Sequence, residues 1–443
     1  MDIKDIVKYI NHDQPRQRKL ANQMAYYRGR NPSILADYPK EEPDNRIPVP
    51  FARRAVNMVT GYLGKEGNIV YSGDGYDKSL QETFDANDEG LRDLELLSTA
   101  LIHGEAWELH WTEAGKDKFA QIPTYQAIPI YSRSLKRKLI GFIRAWSERD
   151  GDTTTYYIDY YDDKSVSQYS GKSFDTCALD TELEHGYGRV PVVRFTIDAN
   201  CANLYDHVTD LIDFYDKIIS EDYANELARF ASSYMLMSGQ LSDEVDETTG
   251  ETEVDKIKRS RLFQNLNGEK SVLDQIAFLT KDVNSAYIDS AADRVERLIY
   301  EMLQLFNPND DTFVQASGVA QKYKLLGFEY LCTSITTYFS IGLQDRIALI
   351  KGLSGNLSAS GVYNTDVTIK FTRNLPDDLA QIAQIAATLK DILSDETILK
   401  LFPSYIVPDV DDELARVGDQ KESNIDIFQS AHNTEVNNAE PGA

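Results

Sequence analysis

The stretch DHVTDLIDFYDKIISEDYANELARFASSYMLM, residues 206–237, carries apolar side chains at Val208, Leu211, Ile212, Tyr215, Ile218, Ile219, Tyr223, Leu227, Phe230 and Tyr234. They recur at three- and four-residue steps, the period of one face of an α-helix. The spacing predicts a helix over 206–238, roughly 48 Å long and longer than most globular helices. A second pattern of this kind runs over 285–306, with Ala292, Val295, Leu298, Ile299, Met302 and Leu303 expected to face inward. It stops at Asn307-Pro308-Asn309-Asp310-Asp311, a strong helix breaker. Between the two lies an acidic insert (Asp243, Glu244, Asp246, Glu247, Glu251, Glu253, Asp255), followed at once by Lys256, Lys258, Arg259 and Arg261. One reading makes this a solvated hairpin, another a docking surface. Two long amphipathic helices flanking a separate hairpin need more apolar burial than a pair supplies, so neighbouring copies in a ring are a natural source of it.

Before this shaft, residues 1–200 read as mixed α and β. An opening helix spans about 3–28 with Pro15 interrupting it, and the segment Pro43-Asp44-Asn45-Arg46-Ile47-Pro48-Val49-Pro50 cannot be helix interior. A helix follows with Ala55, Val56, Val59, Tyr62 and Leu63 on one face, closed by Gly64, and another covers 91–103. Short strands are expected at 106–111, 127–131, 140–147 and 154–160, with Gly115, Asp150-Gly151 and Ser170-Gly171 as turns, giving a small sheet with helices beside it. After the shaft, a helix is expected over 317–353 with weak or kinked points at Gly327 and Gly342, then a strand at 367–371. A further helix is expected over 377–393, with Leu379, Ile382, Ile385, Ala386, Leu389 and Leu393 on one side, and a polar, disordered tail beyond 417. The fold class is α+β.

The 443 residues exceed one ordinary core, and 42% hydrophobic with 26% charged residues is a globular composition. No run approaches the roughly 18 apolar residues a bilayer requires, and Met1–Ile6 lacks the basic-then-apolar layout of a signal peptide. Three distant cysteines (Cys177, Cys201, Cys332) indicate neither a disulfide framework nor a metal cluster, which fits assembly in a reducing cytoplasm. The net charge of -25 is opposite to that of a protein gripping phosphates over its surface. It fits, first, an acidic protein unrelated to nucleic acid, and charge alone does not separate that from a surface that DNA must pass without sticking.

Catalytic patterns fail on inspection. Gly171-Lys172-Ser173 lacks the earlier glycine of a phosphate loop, where Val166 stands. His103-Gly104-Glu105 has no Pro-Cys-x-x-Cys partner, no two histidines have metal-ligand spacing, and no Gly-x-Ser-x-Gly elbow exists. No cofactor is expected. A metal-dependent nuclease on scattered carboxylates stays open as an alternative, as does a non-ring structural protein.

Four segments in order resemble the portal proteins of long-tailed phages that infect Gram-positive hosts. They are Tyr26–Gly29 with Asp44–Phe51 and Gly61–Gly64; His103–Leu109 with Ile128–Tyr131 and Phe142–Arg144; Leu211–Ser220; and Ala316–Gly327. The resemblance implies a non-enzymatic ring, twelve subunits in the head, at one capsid vertex of the virion, through which double-stranded DNA is packaged and ejected. It implies a mixed α/β wing (1–200), helical stem (206–238 and 285–306), small α/β clip (239–282), tunnel loop (307–316), long kinked helix (317–353), wing return (354–375), helical crown (376–417) and tail (418–443). Asn309, Asp310, Asp311, Thr312 and Phe313, with Lys322 and Lys324 nearby, would meet DNA in the channel without reading bases; as a bland alternative the loop is a surface turn. Asp243, Glu244, Asp246, Glu247, Lys256, Lys258 and Arg259 would dock the terminase large subunit and the head-completion adaptor. Scaffolding and major capsid proteins are the other implied partners.

Overall fold

The computed structural model describes residues 1–35, 44–64, 68–135, 137–225, 227–228, 235–236, 277–278, 285–307, 325–353, 366–373, 379–390, 392–402, 406–407 and 409–418. The chain divides into two compact units, Met1–Arg373 and Asn374–Ala443. The first opens with α1 (Ile3–His12), α2 (Gln14–Tyr27), α3 (Pro32–Leu35) and α4 (Phe51–Leu63). The expected break at Pro15 is real: Pro15 sits in the first turn of α2, where its missing N–H costs nothing. Next come β1 (Ile69–Ser72), α5 (Lys78–Asp85), α6 (Glu89–His103), β2 (Glu105–Glu113), β3 (Lys116–Ile122), β4 (Ala127–Tyr131), β5 (Leu139–Asp150), β6 (Thr153–Tyr161), β7 (Ser165–Gly171), β8 (Ala178–Glu184) and β9 (Val192–Thr196). The rest of this unit is α7 (Thr209–Lys217), β10 (Met235–Leu236), β11 (Ala277–Phe278), α8 (Ser285–Met302), α9 (Leu326–Leu353) and β12 (Thr368–Phe371).

The strands make two main antiparallel sheets rather than one, β4-β5-β6-β7-β8 and β3-β2-β9, plus the pair β1-β12. Strands β3, β7, β8 and β9 escaped the pattern reading. Ser170 and Gly171, expected as a turn, are paired strand residues opposite Tyr157 and Tyr156. The chain reverses just after them, at the capped turn Phe174–Thr176, and a side chain at Gly171 would overlap the Thr176–Cys177 backbone. The largest apolar core gathers α4, α6, β9 and the helices α7, α8 and α9. A smaller core lies under α1, where Ile6 meets Ile128, Ile143 and Ile158.

Helix α9 crosses β9 at close range. Gly342 owes its place to this crossing, because a methyl group there would overlap the ring of Phe195, which in turn packs tilted against Phe339 with ring centroids 5.0 Å apart. The position expected as a kink lies inside an unbroken helix and serves as a close-approach point instead.

One turn on, the fully buried Arg346 reaches the sheet. Its Nε and Nη2 donate to both oxygens of Glu108 at 2.8 and 2.7 Å, and Nη1 lies 2.6 Å from Asp93. Glu108 also meets His110 Nε2 at 3.1 Å, and His110 Nδ1 meets Asp117 at 3.0 Å. Burial pushes the Glu108 carboxyl up, but Arg346 and His110 outweigh it and hold it down to about 2. Burial lowers His110, but hydrogen bonds to Asp117 and Glu108 prevail and raise it. On the other face of β2, Glu105 is clamped at 2.8 Å by both Arg16 and Arg194. Strand β2 is thus buried on both faces from Glu105 to His110 with each carboxylate paired.

Breaking the central pair leaves an uncompensated charge in the core. Arg346→Met and Glu108→Gln are each expected to cost about 3–5 kcal/mol in denaturant unfolding. The double variant is expected to cost clearly less than the sum of the two. Additive losses would mean that the two side chains act independently.

Candidate functional site

Residues 44–50 lie extended against α7, and the alternation of their backbone makes a ladder. Val49 N–H donates to Asp216 Oδ1 at 2.8 Å, Ile47 N–H to Ser220 Oγ at 3.0 Å and Asn45 N–H to Asn225 Oδ1 at 2.7 Å. Pro48 between the rungs and Pro50 just after Val49 have no N–H to leave unmet. Alternate residues of an extended chain stand about 6.5 Å apart, close to the rise of four helical residues, about 6 Å, so one rung per turn matches. The last rung needs five residues. In a regular α-helix Asn225 would stand about 140° around from Ser220. The chain meets this by widening to a π-helix over Ile218–Asn225, whose longer turn returns Asn225 to the ladder face.

The buried Asp216 also accepts from Asn31 Nδ2 at 2.7 Å, while Asp213 takes hydrogen bonds from Tyr26 and Ser33, both at 2.7 Å. Burial pushes the Asp216 carboxyl up to about 6; the Asn31 and Val49 hydrogen bonds pull against this and Asp213 adds to it. Helix α8 packs along α7 and the π-helix, with Phe51 of α4 edge-on to Tyr215 at 4.9 Å and to Tyr300 at 6.3 Å. Ala292, Val295, Ile299 and Leu303 face inward as expected, but Met302 is 51% exposed. Phe214 on α7, at 54%, and Leu227 just past the π-helix, at 56%, are exposed as well.

The predicted single helix over 206–238 is corrected at both ends. It begins as a 3-10 turn at Asp206–Val208, and Met235–Leu236 is a strand, antiparallel to Ala277–Phe278 with Met235 opposite Phe278. The period-3.6 pattern continues through Tyr234, but the backbone at Met235 is committed to this pairing, which ties together the two ends of the insert. Asp243, Glu244, Asp246, Glu247, Lys256, Lys258 and Arg259 fall within the insert and lie outside the described residues, as do Asn309–Phe313, Lys322, Lys324 and the tail beyond 418. Asp216, Ser220 and Asn225 were missed because an apolar-face reading counts them as solvent-facing. The signal for them is the run Asn45-Arg46-Ile47-Pro48-Val49-Pro50, whose prolines leave alternate donors on one side.

In the second unit, α10 (Leu379–Leu389) and α11 (Asp395–Leu399) form a helical segment. Ala386 is buried, Ile382 and Leu389 half-buried, and Ile385 and Leu393 exposed, so its expected apolar side is only partly covered. Among the described residues no helix is long and apolar enough to cross a membrane, and no group of three or more His, Cys, Asp or Glu side chains is placed to hold a metal.

Asp216 gives the ladder a pH dependence with a definite sign. Its folded value lies above that of an unfolded aspartate, so the native state keeps the proton longer. Its contribution to stability is therefore highest below about pH 4 and declines as pH rises to about 6, then levels off. Relative to Asp216→Asn, the wild-type melting temperature is expected to fall across that window. A constant difference from pH 4 to 7 would show that Asp216 titrates normally.

A family model described as phage portal protein, SPP1 Gp6-like, matches residues 6–426. No curated protein matches the chain. The match takes in both sheets, the ladder, the helix pair and the segment whose ends β10 and β11 join, and the chain belongs to the SPP1 Gp6-like family of phage portal proteins.

Proposed function

We propose that copies of this portal protein close into a ring, twelve in the head, around an axial channel for double-stranded DNA. Exposed apolar side chains along this shaft are the observation that carries this reading: Phe214 on α7, Met302 on α8 and Leu227 just past the π-helix stay exposed, while other sides of α7 and α8 pack on the ladder and the core. A neighbouring copy is the economical cover for them. On this reading residues 1–200 are the wing and the α7–α8 pair the stem. Residues 239–282 are the clip, 307–316 the tunnel loop, 317–353 the helix from channel to wing, 354–375 the wing return and 376–417 the crown. The tunnel loop residues Asn309–Phe313, with Lys322 and Lys324, line the channel. The clip residues Asp243, Glu244, Asp246, Glu247, Lys256, Lys258 and Arg259 dock the terminase large subunit and later the head-completion adaptor. Scaffolding and major capsid proteins hold the wing at the vertex of the virion, after assembly in the host cytoplasm. The force for DNA movement comes from the terminase, and the portal itself hydrolyses no nucleotide.

Electron microscopy of the purified protein is expected to show rings with a central hole, and monomers or sheets would defeat the proposal. Phe214→Ser combined with Leu227→Ser is expected to lower the assembled fraction several-fold without unfolding the subunit. Deleting Asp243–Glu253 is expected to leave rings intact and to weaken terminase and adaptor binding by at least tenfold; unchanged binding would remove the clip assignment.

A further inference from the structure

We propose that the hairpin tip between β4 and β5 of one copy seats in an acidic cleft beside β1 of the next copy. The proposal rests on the ring reading above and names the surfaces that would join neighbouring wings.

The cleft has a volume of about 930 Å³ and combines an apolar floor, Tyr76, Phe84 and Leu91, with Asp85, Asp88 and Glu89. Glu89 is engaged by Tyr71 and stands 3.7 Å from Arg346, whereas Asp85 and Asp88 are exposed and have no basic partner among the described residues. Strand β1 forms the back wall. Asn68 accepts from Thr372 N–H, and the register continues with Val70 opposite Lys370 and Ser72 opposite Thr368. Backbone groups of an antiparallel strand alternate in direction, so those of Ile69 and Tyr71 point away from β12.

The hairpin tip is its chemical complement. In a chain of net charge -25 it carries Arg133, Arg137 and Lys138 around the fully exposed Leu135. The loop's described residues bond to one another: Ser132 N–H donates to Lys138 O at 2.8 Å, Arg137 N–H to Ser134 O at 2.9 Å and Lys138 N–H to Ser132 Oγ at 3.0 Å. The Arg137 guanidinium lies 5.2 Å over the Tyr131 ring. Among the described residues no carboxylate pairs with these three cations.

Tip and cleft cannot meet within one chain. The cleft lies at the N-terminal end of α6. The hairpin springs from Tyr131, which lies by Arg194 and Glu105 just past the C-terminal end of that helix. The 15 residues of α6 span about 22 Å. A surface and its complement at separate places on one molecule make a head-to-tail contact, which repeats from copy to copy and closes when the rotation permits.

The test is a charge exchange followed by sedimentation across protein concentration. Arg133→Glu with Arg137→Glu, and separately Asp85→Lys with Asp88→Lys, are each expected to raise the concentration for half-assembly at least tenfold. All four substitutions together are expected to return it to within threefold of wild type. Circular dichroism should be unchanged, since all four positions are exposed. A midpoint within threefold of wild type for either pair alone, or no recovery in the combination, overturns the contact. Failure of the wild-type protein to form rings overturns the ring reading instead. The contact then stands or falls on Leu135→Cys with Leu91→Cys under mild oxidation: disulfide-linked oligomers support it, and monomer alone overturns it.

Discussion

The Arg346–Glu108 pair must be sealed and matched at once, and much of the first unit is arranged to meet both conditions. A guanidinium without water needs acceptors on every side that carries an N–H. Glu108 supplies two from the middle of β2, and Asp93 stands against the third side from α6. That fixes α9 over the sheet and α6 beside it, and it makes the central place of β2 between β3 and β9 necessary, since an edge strand would let water reach the pair. Gly342 sets how closely α9 can approach, because Phe195 occupies the space a side chain would fill and lies 5.2 Å beneath the Arg346 guanidinium. A buried pair of this kind adds little net stability over apolar residues of the same volume, but it penalises alternatives in which either charge is left alone. Its effect is on specificity of packing more than on depth of the energy well.

The helices were legible wherever one face is apolar and the other is wet. Helices α4 and α6 and the inward face of α8 follow their 3.6-residue pattern almost residue for residue. Strands β4, β5 and β6 were found from their aromatic and β-branched content. Strands β7 and β8 were not, because SVSQYSG and ALDTELE are polar, and an edge strand such as β8, exposed throughout, has no buried face to produce alternation. Gly342 read as a weakness because propensity is local, whereas the ring of Phe195 lies about 150 positions away in sequence. The ladder was hidden for the same reason: its donors are backbone groups, which no side-chain pattern reports. The family itself was legible in the four segments between Tyr26 and Gly327, and the family model matches residues 6–426.

The ladder explains why a helix with a regular apolar period has an irregular backbone. Three rungs from a straight segment impose a nearly constant rise and a constant face, and a 3.6-residue helix drifts off that face as rungs accumulate. One π turn absorbs the drift. The two prolines make the partner segment a poor strand and a poor helix, so it has no competing regular structure to adopt. Residues 44–50 therefore act as a ruler along the first part of the shaft.

The distribution of positive charge decides how an acidic portal can stay coherent and still pass DNA. Arg16, Arg194 and Arg346 are neutralised inside the subunit by Glu105, Glu108 and Asp93, so they contribute nothing to the outer field. The exterior is left with the excess carboxylates behind the net charge of -25, and assembling copies adds their repulsion together. That repulsion is screened within about 8–10 Å at physiological ionic strength, so short-range contacts can still outweigh it if they are apolar or locally complementary. The exposed side of the α7–α8 pair is of the first kind, and the basic hairpin tip with the acidic cleft is of the second. On the proposed ring reading, phosphates in the channel meet like charge, which keeps the duplex from adhering to the wall. On that reading, the imbalance that opposes assembly at long range is also what lets the ring conduct.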